Sequence, residues 1–225
     1  MFLGHFAVAF AAKRAAPAVS LGTLFLAAQF ADLLWPNLLL LGIERVAIRP
    51  GVTAVTPLDF ISYPYSHSLL ALLLWGALFG LAYWLAKRSV AAALTLGVVI
   101  VSHWVLDLIA HRADLPLTFA GDARVGLELW RSVPATVAVE LALLAAGGAV
   151  YARLTRPRDA AGRWGFVGVL LFLVAIQLGA VYGPPPPSVA AVAWSAQAVW
   201  LLVALGYWVD RHRYVTVALP RASAR

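Results

Sequence analysis

The chain has 225 residues, 63% of them hydrophobic and 12% charged, with a mean hydropathy of +0.86. A soluble domain of this length cannot cover so much apolar side chain with so little polar surface, so the bilayer must be its solvent. The net charge of +7 does not point to nucleic acid, because the basic residues are scattered among short loops, and the absence of cysteine leaves His and carboxylates as the available metal ligands.

In chain order, residues 2 to 12 are apolar but too short to span, and Lys13 and Arg14 follow them. A signal peptide carries its charge before the apolar stretch, so Met1 to Ala12 is expected to stay as a short buried or half-membrane helix. Spans are expected at about 18 to 43, 67 to 86, 89 to 110, 133 to 152, 164 to 183 and 188 to 209, each near the 20 apolar residues that cross a hydrocarbon core. These runs are continuous, whereas barrel strands alternate. Pro184 to Pro187 forms a rigid break. The expected fold is therefore all-α: a polytopic membrane bundle of about six transmembrane helices plus a short buried N-terminal helix. It is read as one integral membrane domain over 1–225, with chemistry in 1–131 and a helical scaffold in 132–225.

Placing Lys13, Arg14, Lys87, Arg88, the basic residues from Arg153 to Arg163 and the tail from Arg211 on one side puts 12 of the 17 basic residues there. By the positive-inside rule that side is cytoplasmic, the C-terminus included, and the loops at 44–66 and 112–131 face outward. The tail itself reads as solvated and lipid-facing.

An ionisable group inside a span costs roughly 2.5 to 3.5 kcal/mol on insertion scales and is a functional candidate by default. Asp32 is one, with an interhelical hydrogen bond as an equal alternative, and Pro36 four residues on is expected to kink the helix beside it. His103, Asp107 and His111 recur at i, i+4 and i+8 on one helical stripe. His111 sits at the helix end, where facing water beside Arg112 is the alternative. Ser66 as N-cap places His67 in the first turn of a helix, where the dipole favours the neutral, ligating imidazole. His5 joins them only if the short helix climbs to mid-membrane. His212, between Arg211 and Arg213, reads as a surface histidine.

Gly4-His5, Asp32, Ser66-His67-Ser68-Leu69-Leu70 and Ser102-His103 followed by Asp107 form a recognisable series. It resembles the inner-membrane metal-dependent hydrolase family that includes the LexA-regulated bacterial membrane proteins. Their recurring elements are an early Gly-His, a Pro-Asp, a Thr-His-Ser opening a helix and a Ser-His-x3-Asp. The similarity runs to about Trp130. Two elements differ: Ala31-Asp32 stands for Pro-Asp, and Ser62-Tyr63-Pro64-Tyr65 replaces a His-Arg-Gly-x, so that the missing histidine implies either fewer ligands or a different one such as His111 or Asp114. The resemblance implies a hydrolase of the bacterial inner membrane with one or two divalent ions on His5, Asp32, His67, His103 and Asp107.

Imidazole with carboxylate suits Zn²⁺, with Mn²⁺ and Fe²⁺ as alternatives. Asp107 or Asp32 is expected to act as base if left free of metal. Glu140 is read either as support for the ligands or as a hydrogen bond within the bundle. Membrane lipids are the expected partners, and a lipid-like ester or phosphoester the expected substrate, with Trp35, Tyr63, Tyr65, Trp104 and Trp130 suited to the interface. The rival reading is a transporter, for which polar residues should continue toward the cytoplasmic face.

Overall fold

The computed structural model describes residues 1–120 and 123–216. Helix α1 (Phe2–Ala12) is followed by α2 (Leu21–Ala28) and α3 (Phe30–Leu40), then the strands β1 (Arg45–Ile48) and β2 (Leu58–Ser62). A single turn, α4 (Pro64–His67), leads into α5 (Leu69–Lys87) and α6 (Val90–Ala110). Strands β3 (Leu115–Pro116) and β4 (Arg124–Val125) precede α7 (Val133–Leu154), β5 (Thr155–Pro157), α8 (Ala160–Tyr182), α9 (Val189–Ala196), α10 (Val199–Arg211) and β6 (Arg213–Val215).

Helices α5, α6, α7 and α8, and α9 with α10 as one segment of 23 residues, are long and apolar enough to cross a membrane. Helices α2 and α3 together make a sixth span, bent by 53°. The break lies at Gln29, whose φ of −101° and ψ of 12° leave the helical region, while Pro36 sits inside α3 without interrupting it. The expected kink is therefore seven residues early. The expected cap is also displaced: Ser68, not Ser66, accepts the Ala71 N–H to open α5, and His67 precedes that helix as the last residue of α4. Both outward-assigned loops contain short antiparallel hairpins, β1 with β2 and β3 with β4.

Helix α1 occupies the middle of the bundle, with Leu3, Phe6, Ala9 and Phe10 fully buried. At about 16 Å it reaches roughly half of a 30 Å hydrocarbon core. It lies against α7 at Gly147, where any Cβ would come within 2.2 Å of the Ala7 carbonyl oxygen. At the opposite end from the hairpin loops, Lys13 is buried and donates to Val19 O at 2.7 Å and to Asp210 at 2.9 and 3.0 Å. Arg213 is not solvated as the tail expectation had it. Its guanidinium packs on Tyr151 and Phe166 and donates to Thr155 and Gly162. The tail beyond Thr216 lies outside the described residues.

Beside Arg213, Asp159 caps α8 by accepting the Gly162 N–H at 2.7 Å and also accepts from His212 Nδ1 at 2.8 Å. The hydrogen bond from His212 holds this exposed carboxyl below the usual carboxylate range. A lowered folded pKa means the link is intact above the ordinary carboxylate pKa and lost as pH falls through the folded value. The protection factor of the Gly162 amide, its exchange rate relative to an unstructured amide at the same pH, is therefore expected to stay flat from neutrality down and to fall only below about pH 4. A fall in protection near pH 6 would show that the cap depends on another group.

Candidate metal centre

Six elements bring the cluster together at the end of the bundle that carries the β1–β2 and β3–β4 hairpins. Helix α1 supplies His5, α3 supplies Asp32, α4 supplies His67 and α6 supplies His103 and Asp107; α7 and α8 close the far wall with Glu140 and Gln177. His5, His67, His103 and Asp107 are buried, while the Asp32 side chain is 31% exposed and is the open side of the group.

The two carboxylates divide their oxygens among the imidazoles. Asp107 Oδ2 lies 3.2 Å from His103 Nε2 and 4.0 Å from His67 Nε2. Asp32 Oδ1 lies 3.4 Å from His67 Nε2 and 3.8 Å from His103 Nε2. The other Asp107 oxygen faces His5 Nε2 at 3.2 Å and the Met1 nitrogen at 2.5 Å. His5 stacks flat on His103, with ring centroids 3.6 Å apart.

The protonation of His103 follows from its other nitrogen. Nδ1 is 2.8 Å from the carbonyl of Ala28, the last residue of α2, and a carbonyl only accepts, so Nδ1 carries the proton. A helix ends with carbonyls that have no intrahelical partner, which is why the break at Gln29 can hold a histidine here. In the neutral form of this ring, Nε2 presents a lone pair to two carboxylates, and that buried atom has no hydrogen-bond partner. Lone pairs facing carboxylates repel unless positive charge lies between them. A proton relieves one such contact; a divalent cation relieves all of them.

The spacings agree with a cation. Tetrahedral ligands at about 2.0 to 2.2 Å from an ion stand about 3.3 to 3.6 Å from one another. Two groups have ligand atoms all within 4.8 Å of one another: His5, His103 and Asp107, and Asp32, His67 and His103.

His111 is in neither group. It lies on the wall of the same cavity, with Nδ1 3.0 Å from Asp114 Oδ1 and 3.3 Å from the Tyr63 hydroxyl. Its stripe with His103 and Asp107 ends at the helix: His111 is the C-cap of α6, and its extended backbone turns the ring toward the hairpin loops. Burial pushes the His111 imidazole below its ordinary pKa, against the pull of Asp114. Burial also opposes ionisation of Asp114, but the hydrogen bonds from His111 and Arg112 hold its carboxyl below the usual range. Tyr63 is pushed up by burial and by the Asp114 charge.

Glu140 accepts from the Leu3 N–H at 2.5 Å and from Gln177 Nε2 at 3.2 Å. It thus ties the start of α1, and with it His5, to α7 and α8. From the half beyond residue 132, Glu140, Gln177, Ala180 and Val181 line the cavity.

Glu44, which has no sequence signal, also belongs to the site, together with Ser66, which the sequence marks only as a cap and motif residue. Glu44 and Ser66 are buried, and Glu44 Oε2 lies 2.6 Å from Ser66 Oγ, which lies 2.7 Å from His67 Nδ1. Glu44 stands beside Arg45 in a stretch that reads as a solvated loop. Its burial alone distinguishes it.

Fold and cluster define a multi-span helical membrane protein with buried His/Asp groups that could hold a metal ion. Compared with known proteins, the chain matches no family model, no curated protein and no solved structure.

Proposed function

We propose that this protein is a membrane-embedded metal-dependent hydrolase, in keeping with the resemblance of its His and Asp motifs to the inner-membrane metal-dependent hydrolase family. The observation that carries the reading is the buried, unpartnered Nε2 of His103 facing both Asp107 and Asp32. One imidazole nitrogen serves one ion, and Nδ1 of His103 is already committed to Ala28. The two groups sharing His103 therefore describe one centre: Asp32, His67, His103 and Asp107 around a single ion, with His5 on the second oxygen of Asp107. Nitrogen and oxygen donors without thiolate favour Zn²⁺ over Mn²⁺ or Fe²⁺.

A divalent ion bound there would polarise an ester or phosphoester oxygen and acidify a water. The chain's own groups supply the rest. Asp32 turns Oδ1 to the histidines of the centre, and its other oxygen, on the partly exposed side of the group, is placed to take a proton from a reactant in the cavity. With Nδ1–H of His111 donated to Asp114, its Nε2 lone pair is the ring nitrogen left to the cavity, where it can accept a hydrogen bond from a water or a reactant hydroxyl.

The cavity is about 220 Å³, bounded by Phe2, Trp35, Phe60 and Trp130 as well as by the cluster. That is about seven water volumes, enough for a polar head group but not for a lipid chain. An amphiphile with its ester inside and its apolar part in the bilayer fits this shape. The positive-inside rule supports a cluster toward the outer face, and the family resemblance supports a bacterial inner membrane. A transport path is disfavoured, because Phe6, Phe10, Phe25 and Ile100 are fully buried in the core on which the cluster rests.

Protein purified in detergent and incubated with Zn²⁺ is expected to retain about one ion per chain after desalting. With the ion, it is expected to hydrolyse a short-chain p-nitrophenyl ester or phosphodiester presented in micelles. Folded protein that retains no divalent metal would remove the basis of the proposal.

A further inference from the structure

Burial of Glu44 in a loop has no role in the centre as drawn so far, yet it is among the least exposed acids in the chain, at 1%. We propose that Glu44 and Ser66 are positioning residues that fix the tautomer of His67, so that its Nε2 lone pair faces Asp32. The inference rests on the metal-centre reading and adds the device that prepares one of its ligands.

The proton inventory carries it. Glu44 Oε1 accepts the backbone N–H groups of Tyr65 at 2.8 Å and Ser66 at 2.9 Å. An ionised carboxylate has no proton to give, so the contact of 2.6 Å between Glu44 Oε2 and Ser66 Oγ must use the serine hydroxyl proton. That proton is the only one Ser66 Oγ has. Its contact of 2.7 Å with His67 Nδ1 must then be donated by the imidazole. The neutral His67 ring is thereby held as the Nδ1–H tautomer, and Nε2 is left as acceptor, 3.4 Å from Asp32 Oδ1.

The arrangement parallels His103, where the Ala28 carbonyl plays the part of Ser66. Metal-ligating histidines commonly donate their second N–H to a carboxylate or carbonyl, which orients the ring and raises its basicity. Here a hydroxyl is interposed because Glu44 comes from the loop after α3 and reaches α4 at Ser66. A purely structural alternative is that Glu44 only anchors the α4 turn through its two backbone hydrogen bonds. The two roles separate in the tautomer.

The test uses full-length protein labelled with ¹⁵N-histidine, with the His67 signals assigned by their loss in His67→Gln. In metal-free wild type, His67 is expected to be protonated at Nδ1. Glu44→Gln keeps an oxygen for the backbone N–H groups but turns its amide toward Ser66, freeing the hydroxyl to donate to the ring. His67 should then move to the Nε2–H tautomer. Ser66→Ala should lose the Nδ1–H preference, and Ser66→Thr should restore it. Zn²⁺ affinity is expected to fall about 10- to 100-fold in Glu44→Gln and Ser66→Ala and to stay near wild type in Ser66→Thr. Folded Glu44→Gln and Ser66→Ala proteins that keep the wild-type tautomer overturn the proposal. If wild type binds no metal but the tautomer responds as described, the relay stands and the hydrolase reading falls.

Discussion

His103→Ala is expected to lower Zn²⁺ affinity by about 10²- to 10³-fold, enough that the purified variant retains no ion through desalting. Structural zinc sites contribute roughly 10 to 16 kcal/mol over four ligands, or about 2.5 to 4 kcal/mol for each. His103 is the one residue shared by both ligand groups, so its loss breaks either arrangement. Asp107→Asn should behave similarly, since Asp107 offers one oxygen to His103 and the other to His5. His111→Ala should leave metal content unchanged, and so should His212→Ala, whose imidazole pairs with Asp159 at the opposite end of the bundle from the cluster. The variants must be compared as folded species by competition with a zinc chelator. Equal affinity in His103→Ala and wild type would show that the unpartnered Nε2 is not a ligand. A loss in His111→Ala would restore that histidine to the first coordination sphere and displace Asp32 or His67 from it.

The spans and the cluster were legible in the sequence for different reasons. Continuous apolar runs mark the helices because the bilayer demands length and hydrophobicity, and the i, i+4 spacing of His103 and Asp107 fixes both on one face. What could not be read was set by tertiary contacts. Ser66 and Ser68 are equally good caps in sequence, and only the docking of α4 on Glu44 decides that Ser68 opens α5. The break at Gln29 carries no proline or glycine, whereas Pro36 carries the expected signal and is accommodated. His111 shares the period of its stripe, but a helical period says nothing once the helix has ended. Strand β1 had no such signal: Arg45 is followed by three apolar residues, Val46, Ala47 and Ile48, with no alternation of polar and apolar positions, and its pairing with β2 is set by tertiary contact.

Gly147→Ala is expected to destabilise the protein by about 1 to 3 kcal/mol and to weaken metal binding as well, although Gly147 touches no ligand. Helices without a hydrophobic drive between them associate through close backbone contact at small residues. At Gly147 a Cβ would stand 2.2 Å from Ala7 O and 2.8 Å from Ala7 Cα, backbone atoms that cannot swing aside as a side chain would. Relief requires α1 to move away from α7. That movement stretches the hydrogen bond from Leu3 to Glu140 and shifts His5, two residues before Ala7, off Asp107. Alanine at Gly168 or Gly179 in α8 meets nothing within 4 Å and exchanges a poor helix former for the best one. Those substitutions should be neutral or mildly stabilising. Thermal unfolding in detergent, followed with and without Zn²⁺, checks both parts: Gly147→Ala should melt lower than wild type and gain less from the ion, while Gly168→Ala should match wild type in both. A Gly147→Ala protein that melts with wild type and binds metal equally would mean that α1 has room to spare and that its seat on α7 does not set the position of His5.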